Sequence, residues 1–107
     1  MHIRLFYGDN FMMMLITYDV DFSSEDGKKR LRKVAKACEK YGVRVQNSVF
    51  EMLIDPAQLV ELKNLLEKII DKKNDSVRFY NLGKKWEGKV EILGKEKGFN
   101  QQDTLIL

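Results

Sequence analysis

Apolar residues cluster first in Met13-Met14-Leu15-Ile16-Thr17-Tyr18-Asp19-Val20, a run that ends beside a carboxylate. It is too short for a helix that buries an apolar face, and its methionine and branched side chains suit a strand covered by helices. Alternation places Leu15, Thr17 and Asp19 on one strand face and Met14, Ile16, Tyr18 and Val20 on the other. The polar segment Asp21–Asp26 then carries the turn and capping chemistry of a helix start. Leu31, Val34, Ala35, Cys38 and Tyr41 follow at helical spacing, and Gly42 stands where a helix-terminating C′ residue belongs.

Val43 to Ile54 is β-branched and aromatic through most of its length, so it predicts one strand or, with Asn47-Ser48 as the turn, a tight hairpin. Asp55, Pro56 and Gln58 form the N-cap, N1 and N3 of a capping box. Leu59, Leu62, Leu65, Leu66, Ile69 and Ile70 line the helix they open, as far as the break at Lys72-Lys73-Asn74-Asp75. Ser76 to Leu82 alternates as a half-buried strand, Gly83 to Gly88 is a loop, and Val90, Ile92 and Leu93 predict another short strand. The apolar end Leu105-Ile106-Leu107 predicts docking on a sheet edge, its own or a partner's. This order, β-α-β(β)-α-β with extra strand at the end, predicts an α+β fold, a ferredoxin-like βαββαβ sandwich with both helices on one sheet face. The opposite face keeps apolar residues, and a second copy is the cheapest way to bury them. The expected organisation is an N-terminal extension over 1–12, one domain over 13–94 and a dimer-docking segment over 95–107.

The 107 residues, 44% hydrophobic, make one domain with a single modest core. The lone Cys38 excludes an internal disulfide and, with the single His2, any Cys/His zinc cluster. Cys38 reads as a small core residue. The longest apolar run falls well short of the ~20 residues of a membrane span, so a cytoplasmic protein with no membrane partner is expected. Charge is concentrated: Lys28 to Lys40 holds seven basic residues against Glu39, a segment of +6 in a chain of net +3, which leaves −3 elsewhere. Lys29, Arg30, Arg32, Lys33 and Lys36 on that helix suit phosphate backbones.

Phosphate loops, HExxH and Ser/His/Asp sets are all absent from the sequence, which leaves carboxylate and hydroxyl chemistry. Asp19 is the best-placed acid, at a strand end where a carboxylate must be solvated, hydrogen-bonded or holding a cation. One carboxylate is a poor ligand set for Mg²⁺. Two copies with their twofold axis beside the strand ends could share one octahedral cation that keeps several waters, and a metal-bound water could then attack a phosphodiester.

The segments Leu15–Val20, Arg44-Val45-Gln46-Asn47-Ser48-Val49-Phe50-Glu51 and Val77-Arg78-Phe79-Tyr80-Asn81-Leu82 resemble the small CRISPR-associated metal-dependent endonuclease (endoribonuclease) family, partner of the CRISPR adaptation integrase. The resemblance runs from Met13 to about Leu107. It implies a homodimer in which an additional C-terminal strand is exchanged or added across the two copies. It implies Mg²⁺ at Asp19, with Mn²⁺ as a substitute, and cleavage of RNA or double-stranded DNA. It also implies an active region at Tyr18, Asp19, Arg44, Ser48 and Phe50, in which Arg44 could hold a scissile phosphate; Phe50 equally fits a core position. The first twelve residues depart from the family, which starts near Met13 or Met14.

Two functions of different class follow: a metal-dependent endonuclease of CRISPR adaptive immunity, or a non-catalytic dimer that bridges DNA in the spacer-integration complex. A generic toxin ribonuclease or ligand-binding regulatory domain is a third, since the fold hosts many functions.

Overall fold

The computed structural model describes residues 10–95. Six elements follow in the expected order: β1 (Met12–Asp19), α1 (Gly27–Glu39), β2 (Gly42–Gln46), β3 (Val49–Ile54), α2 (Pro56–Ile69) and β4 (Ser76–Gly83). They build one antiparallel sheet in the order β2-β3-β1-β4. This is the ferredoxin-like arrangement. It places β1, the strand that ends in Asp19, in the sheet interior between β3 and β4.

The core lies on the helix side. Met14, Ile16 and Tyr18 of β1 and Phe50, Met52 and Ile54 of β3 form one buried cluster with Val34, Ala35, Ala37 and Cys38 of α1 and Leu62 and Leu66 of α2. The period of two along the strands and the helical period along α1 and α2 therefore converge on one layer. Met13, on the other face of β1, and Trp86, beyond β4, are buried outside that cluster. Leu15, Val49 and Leu53 on that second face are half-buried. No helix among the described residues is long and apolar enough to cross a membrane.

Local chemistry fixes the element boundaries. The stretch from Gly42 to Ile54 is a hairpin that turns at Asn47-Ser48, with a register irregularity between Arg44 and Gln46. At the start of α2, Asp55 Oδ1 accepts from the Gln58 N–H at 2.8 Å while Gln58 Oε1 accepts from the Asp55 N–H at 3.2 Å, a complete capping box.

Four expectations are corrected. The start of α1 is not side-chain capped: Asp26 at the N-cap is left-handed, with φ 69°, and makes no capping bond. The Asp21 carboxylate instead accepts from the Ser23 N–H at 2.9 Å and Ser23 Oγ at 2.6 Å, turning the loop before the helix. Gly42 is not a helix terminator but the first residue of β2, where a Cβ would overlap the Glu51 carbonyl oxygen and the Met52 side chain. The first strand begins at Met12, paired with Ile54, one residue before its expected start at Met13. Val90 to Leu93 forms no strand. It borders Val45, Gln46 and Glu51 without joining the ladder, and an alternating run becomes a strand only by pairing. Residues 1–9 and 96–107, with most of the extension and of the docking segment, lie outside the described residues.

Candidate active site

Alternation along β1 sends Tyr18 inward and Asp19 outward, and the two side chains enter different surroundings. Tyr18 is buried, and its hydroxyl donates to Asp75 Oδ2 at 2.5 Å. Asp75, just before β4, has a side chain with 0% exposure and collects four further donations. Arg30 Nε donates to Oδ2 at 2.8 Å and Arg30 Nη2 to Oδ1 at 3.3 Å. The backbone N–H of Asp21 donates to Oδ1 at 3.0 Å and that of Asp71 to Oδ2 at 3.0 Å. A buried carboxylate is tolerated only when its lone pairs are filled in this way. Arg30 spends its remaining donors on the loop before α1, reaching the Glu25 carbonyl at 2.9 Å and Ser24 Oγ at 2.6 Å.

The electrostatics follow from this packing. Burial alone would raise the Asp75 pKa, but the Arg30 hydrogen bonds, then the Asp21 N–H, Tyr18 and Asp71, overcome it and hold the carboxyl well below the usual carboxylate range. The Arg30 guanidinium is held in its charged form by the hydrogen bond to Asp75. Burial first, and the bond to Asp75 second, push the Tyr18 hydroxyl up to about 12.

Asp19 is exposed at the tip of β1, on the open face with Leu15 and Thr17. The tip shares one end of the sheet with the β2–β3 turn, because the Tyr18 N–H donates to the Ser48 carbonyl at 2.9 Å. Arg44 joins that end: its Nε donates to the Asn47 carbonyl at 2.8 Å, and its guanidinium lies 5.9 Å from the Phe50 ring centre. On the other side of β1, Asp19 pairs with Ser76 and Thr17 with Arg78. The charged form of Arg78 is favoured by its hydrogen bond to Tyr80 and, less strongly, by the charge of Asp19. Cross-strand partners share a face, so Arg78 stands on the exposed side with the acid. Sequence reasoning missed it as a site residue, since outward alternation was readable but its register opposite Thr17 was not.

Of the residues singled out from sequence, Asp19, Arg44 and Ser48 are thus brought to one sheet end, Arg44 opposite Phe50 on the helix side of the sheet and Asp19 on the open side. Three others are placed elsewhere. Tyr18 points away from Asp19 into the Asp75 cluster, where its hydroxyl is committed. Phe50 is fully buried in the helix-side core and takes the core reading. Arg30 is turned out of the basic set, because its side chain is 13% exposed and paired with buried Asp75. Lys29, Arg32, Lys33 and Lys36 remain exposed on α1. Cys38 is fully buried in the core, and burial pushes its thiol up to about 12.

Among the described residues no three His, Cys, Asp or Glu side chains converge on a metal position. At the tip of β1 a single chain offers the exposed carboxylate of Asp19. That donor fits Mg²⁺, which keeps most of its waters and takes one or two carboxylates, if a second copy supplies the other.

An antiparallel βαββαβ sandwich with a carboxylate-tipped first strand, arginines at the same sheet end and a lysine-rich first helix is a small ferredoxin-like α+β protein with the charges of a phosphate-binding surface. The chain belongs to the CRISPR associated protein Cas2 family, whose sequence profile matches residues 12–90. It is 48% identical over 101 residues to the CRISPR-associated endoribonuclease Cas2 of Nitratidesulfovibrio vulgaris, covering 94% of this chain and 99% of that one. It is 54% identical over 95 residues to the CRISPR-associated endonuclease Cas2 of Halalkalibacterium halodurans, covering 89% and 99%. The crystal structure of Streptococcus pyogenes Cas2 superposes with a TM-score of 0.71 at 58% identity, over 78% of this chain and all of that one. A chain of a partial Cas6-RT-Cas1–Cas2 complex superposes with a TM-score of 0.57 at 31% identity, over 77% and 90%.

Proposed function

We propose that this chain works as a homodimeric, Mg²⁺-dependent endonuclease on phosphodiester bonds of RNA or double-stranded DNA, in the spacer-acquisition stage of CRISPR immunity. One observation carries the reading: an exposed carboxylate at the tip of an otherwise apolar central strand, with Arg44 and Arg78 at the same end of the sheet. Asp19 from each of two copies would hold the ion, and Mn²⁺ would substitute. When bound, the ion supplies charge neutralisation at the phosphate and lowers the pKa of water. Arg78, on the face of the acid, would orient the phosphate through charge-assisted hydrogen bonds, and Arg44, opposite Phe50 on the helix side, would add positive charge at the same sheet end. Ser48 fixes the tip by accepting from the Tyr18 N–H. Relatives named as endonucleases and endoribonucleases support the activity, and the likeness to a chain of a Cas1–Cas2 complex supports an integrase partner.

The test is cleavage of RNA and of duplex DNA by the parent protein and Asp19→Ala, with and without Mg²⁺ or Mn²⁺. Loss of a group that merely supports a metal ligand costs ~10–100-fold, so removing the ligand itself is expected to slow cleavage at least ~100-fold. Equal rates for the two proteins would end the hydrolytic reading.

A second reading has its own observation. Lys29, Arg32, Lys33 and Lys36 are exposed along α1 and form no ion pair with an acid among the described residues, which suits a dimer that bridges duplex DNA without cutting it.

A further inference from the structure

The exposed acid at the strand tip is bracketed by two bonds to one buried carboxylate. On its N-terminal side the Tyr18 hydroxyl donates to Asp75 Oδ2 at 2.5 Å, and on its C-terminal side the Asp21 N–H donates to Asp75 Oδ1 at 3.0 Å. We propose that Asp75 is a positioning residue for Asp19: it grips the chain on both sides of that residue and thereby sets where the Asp19 carboxylate is presented.

The geometry gives this grip direction and stiffness. Tyr18 and Asp19 lie on opposite faces of one strand, so holding the Tyr18 ring inward holds the Asp19 side chain outward. The Tyr18 N–H is tied at the same time to the Ser48 carbonyl at 2.9 Å, which leaves the tip little freedom to roll. Arg30 fastens the hub itself: it donates to both Asp75 oxygens and also holds Ser24 Oγ at 2.6 Å in the loop that follows the tip. A lone carboxylate that shares a hydrated ion with a second copy has few ligands to correct an error of aim, and sites of this kind need placement to within about 0.5 Å. Asp75 never meets the ion in this scheme. It acts through the backbone of residues 18–21.

The inference rests on the metal reading of Asp19, and the experiment separates the two. Mn²⁺ alone is titrated into the parent protein, Tyr18→Phe, Asp75→Asn and Asp19→Ala, following paramagnetic broadening of the Asp19 and Val20 amide signals. Amide exchange over residues 18–22 and the urea midpoint are measured on the same samples. Tyr18→Phe removes one of the two grips and leaves the Arg30–Asp75 ion pair, so it decides the matter if Asp75→Asn fails to fold. The expected result is faster exchange at residues 19–21 and an Mn²⁺ midpoint raised about 10-fold in both grip variants, the lower end of what supporting residues contribute.

A merely structural Asp75 would lower the urea midpoint while leaving the Mn²⁺ midpoint and local exchange of Tyr18→Phe at parental values. That outcome overturns the inference and leaves the metal reading in place. If Asp19→Ala binds Mn²⁺ like the parent, the metal reading falls and the inference falls with it, whatever the exchange data show.

Discussion

Two aspartates sit near the same strand tip and have opposite fates: Asp19 is exposed, while the Asp75 side chain is fully buried among five donated hydrogen bonds. Their titration predicts how stability depends on pH. The folded pKa of Asp75 lies below its unfolded value, so its contribution is present above about pH 4 and is lost as pH falls toward the folded value. Thermal melts are expected to be flat between pH 7 and 5 in this respect and to fall below pH 4, and Asp75→Asn should flatten that acid limb. Removing the carboxylate leaves Arg30 without its partner and should cost about 3 kcal/mol at neutral pH, read from urea unfolding. Tyr18 runs the other way: its hydroxyl is raised from 10.0 to about 12, so its contribution is present below pH 10 and lost between 10 and 12. Cys38, raised from 9.0 to about 12, adds to the same alkaline loss, and Tyr18→Phe should remove only the tyrosine share. Asp19 was legible from the sequence because period-two alternation carries it to an exposed strand end. Asp75 was not, because in sequence it is only the last residue of a polar break, and its partners Tyr18 and Arg30 lie 57 and 45 residues away.

At the scale of elements, order and type were readable, whereas local devices were read less well. The capping box of α2 is contained in four residues and needs no tertiary knowledge. Gly42 misled because glycine after a helix has two explanations, a left-handed terminator or close approach to a neighbour, and only the position of β3 decides between them. Gly42→Ala should therefore act by overpacking, at a cost of about 1–3 kcal/mol in urea unfolding. Helix α1 separates its duties by face: Val34, Ala35, Ala37 and Cys38 go to the core, Arg30 turns to Asp75, and the exposed lysines and Arg32 face solvent. If the exposed face meets duplex DNA, neutralising Lys29, Arg32 and Lys36 together should reduce the slope of log affinity against log salt by about 3. An unchanged slope would remove α1 from the interface.

For the whole molecule, one face of the sheet is sealed by two helices and the other keeps apolar groups in reach of solvent. Tyr80 is 43% exposed, Ile92 41% and Leu93 fully so. A second copy was expected from the sequence because strand alternation left apolar residues on both faces. The missing strand at Val90–Leu93 has the same origin, since a strand needs an edge to join and alternation says nothing about which copy supplies it. Under the dimeric reading, Leu93→Glu with Tyr80→Glu should shift sedimentation toward the monomer, and a protein that sediments as before would place the contact elsewhere.

The hub residue lies far along the chain, and that has a consequence for biosynthesis. A ribosome that has delivered β1, both helices and the hairpin has still not delivered the group that steadies the first strand's end. Contacts so distant in sequence close late. Under the proposed grip, the strand tip stays unsteadied until residue 75 has been delivered, and a product terminated before that residue, however well its helices pack, emerges without an aimed carboxylate.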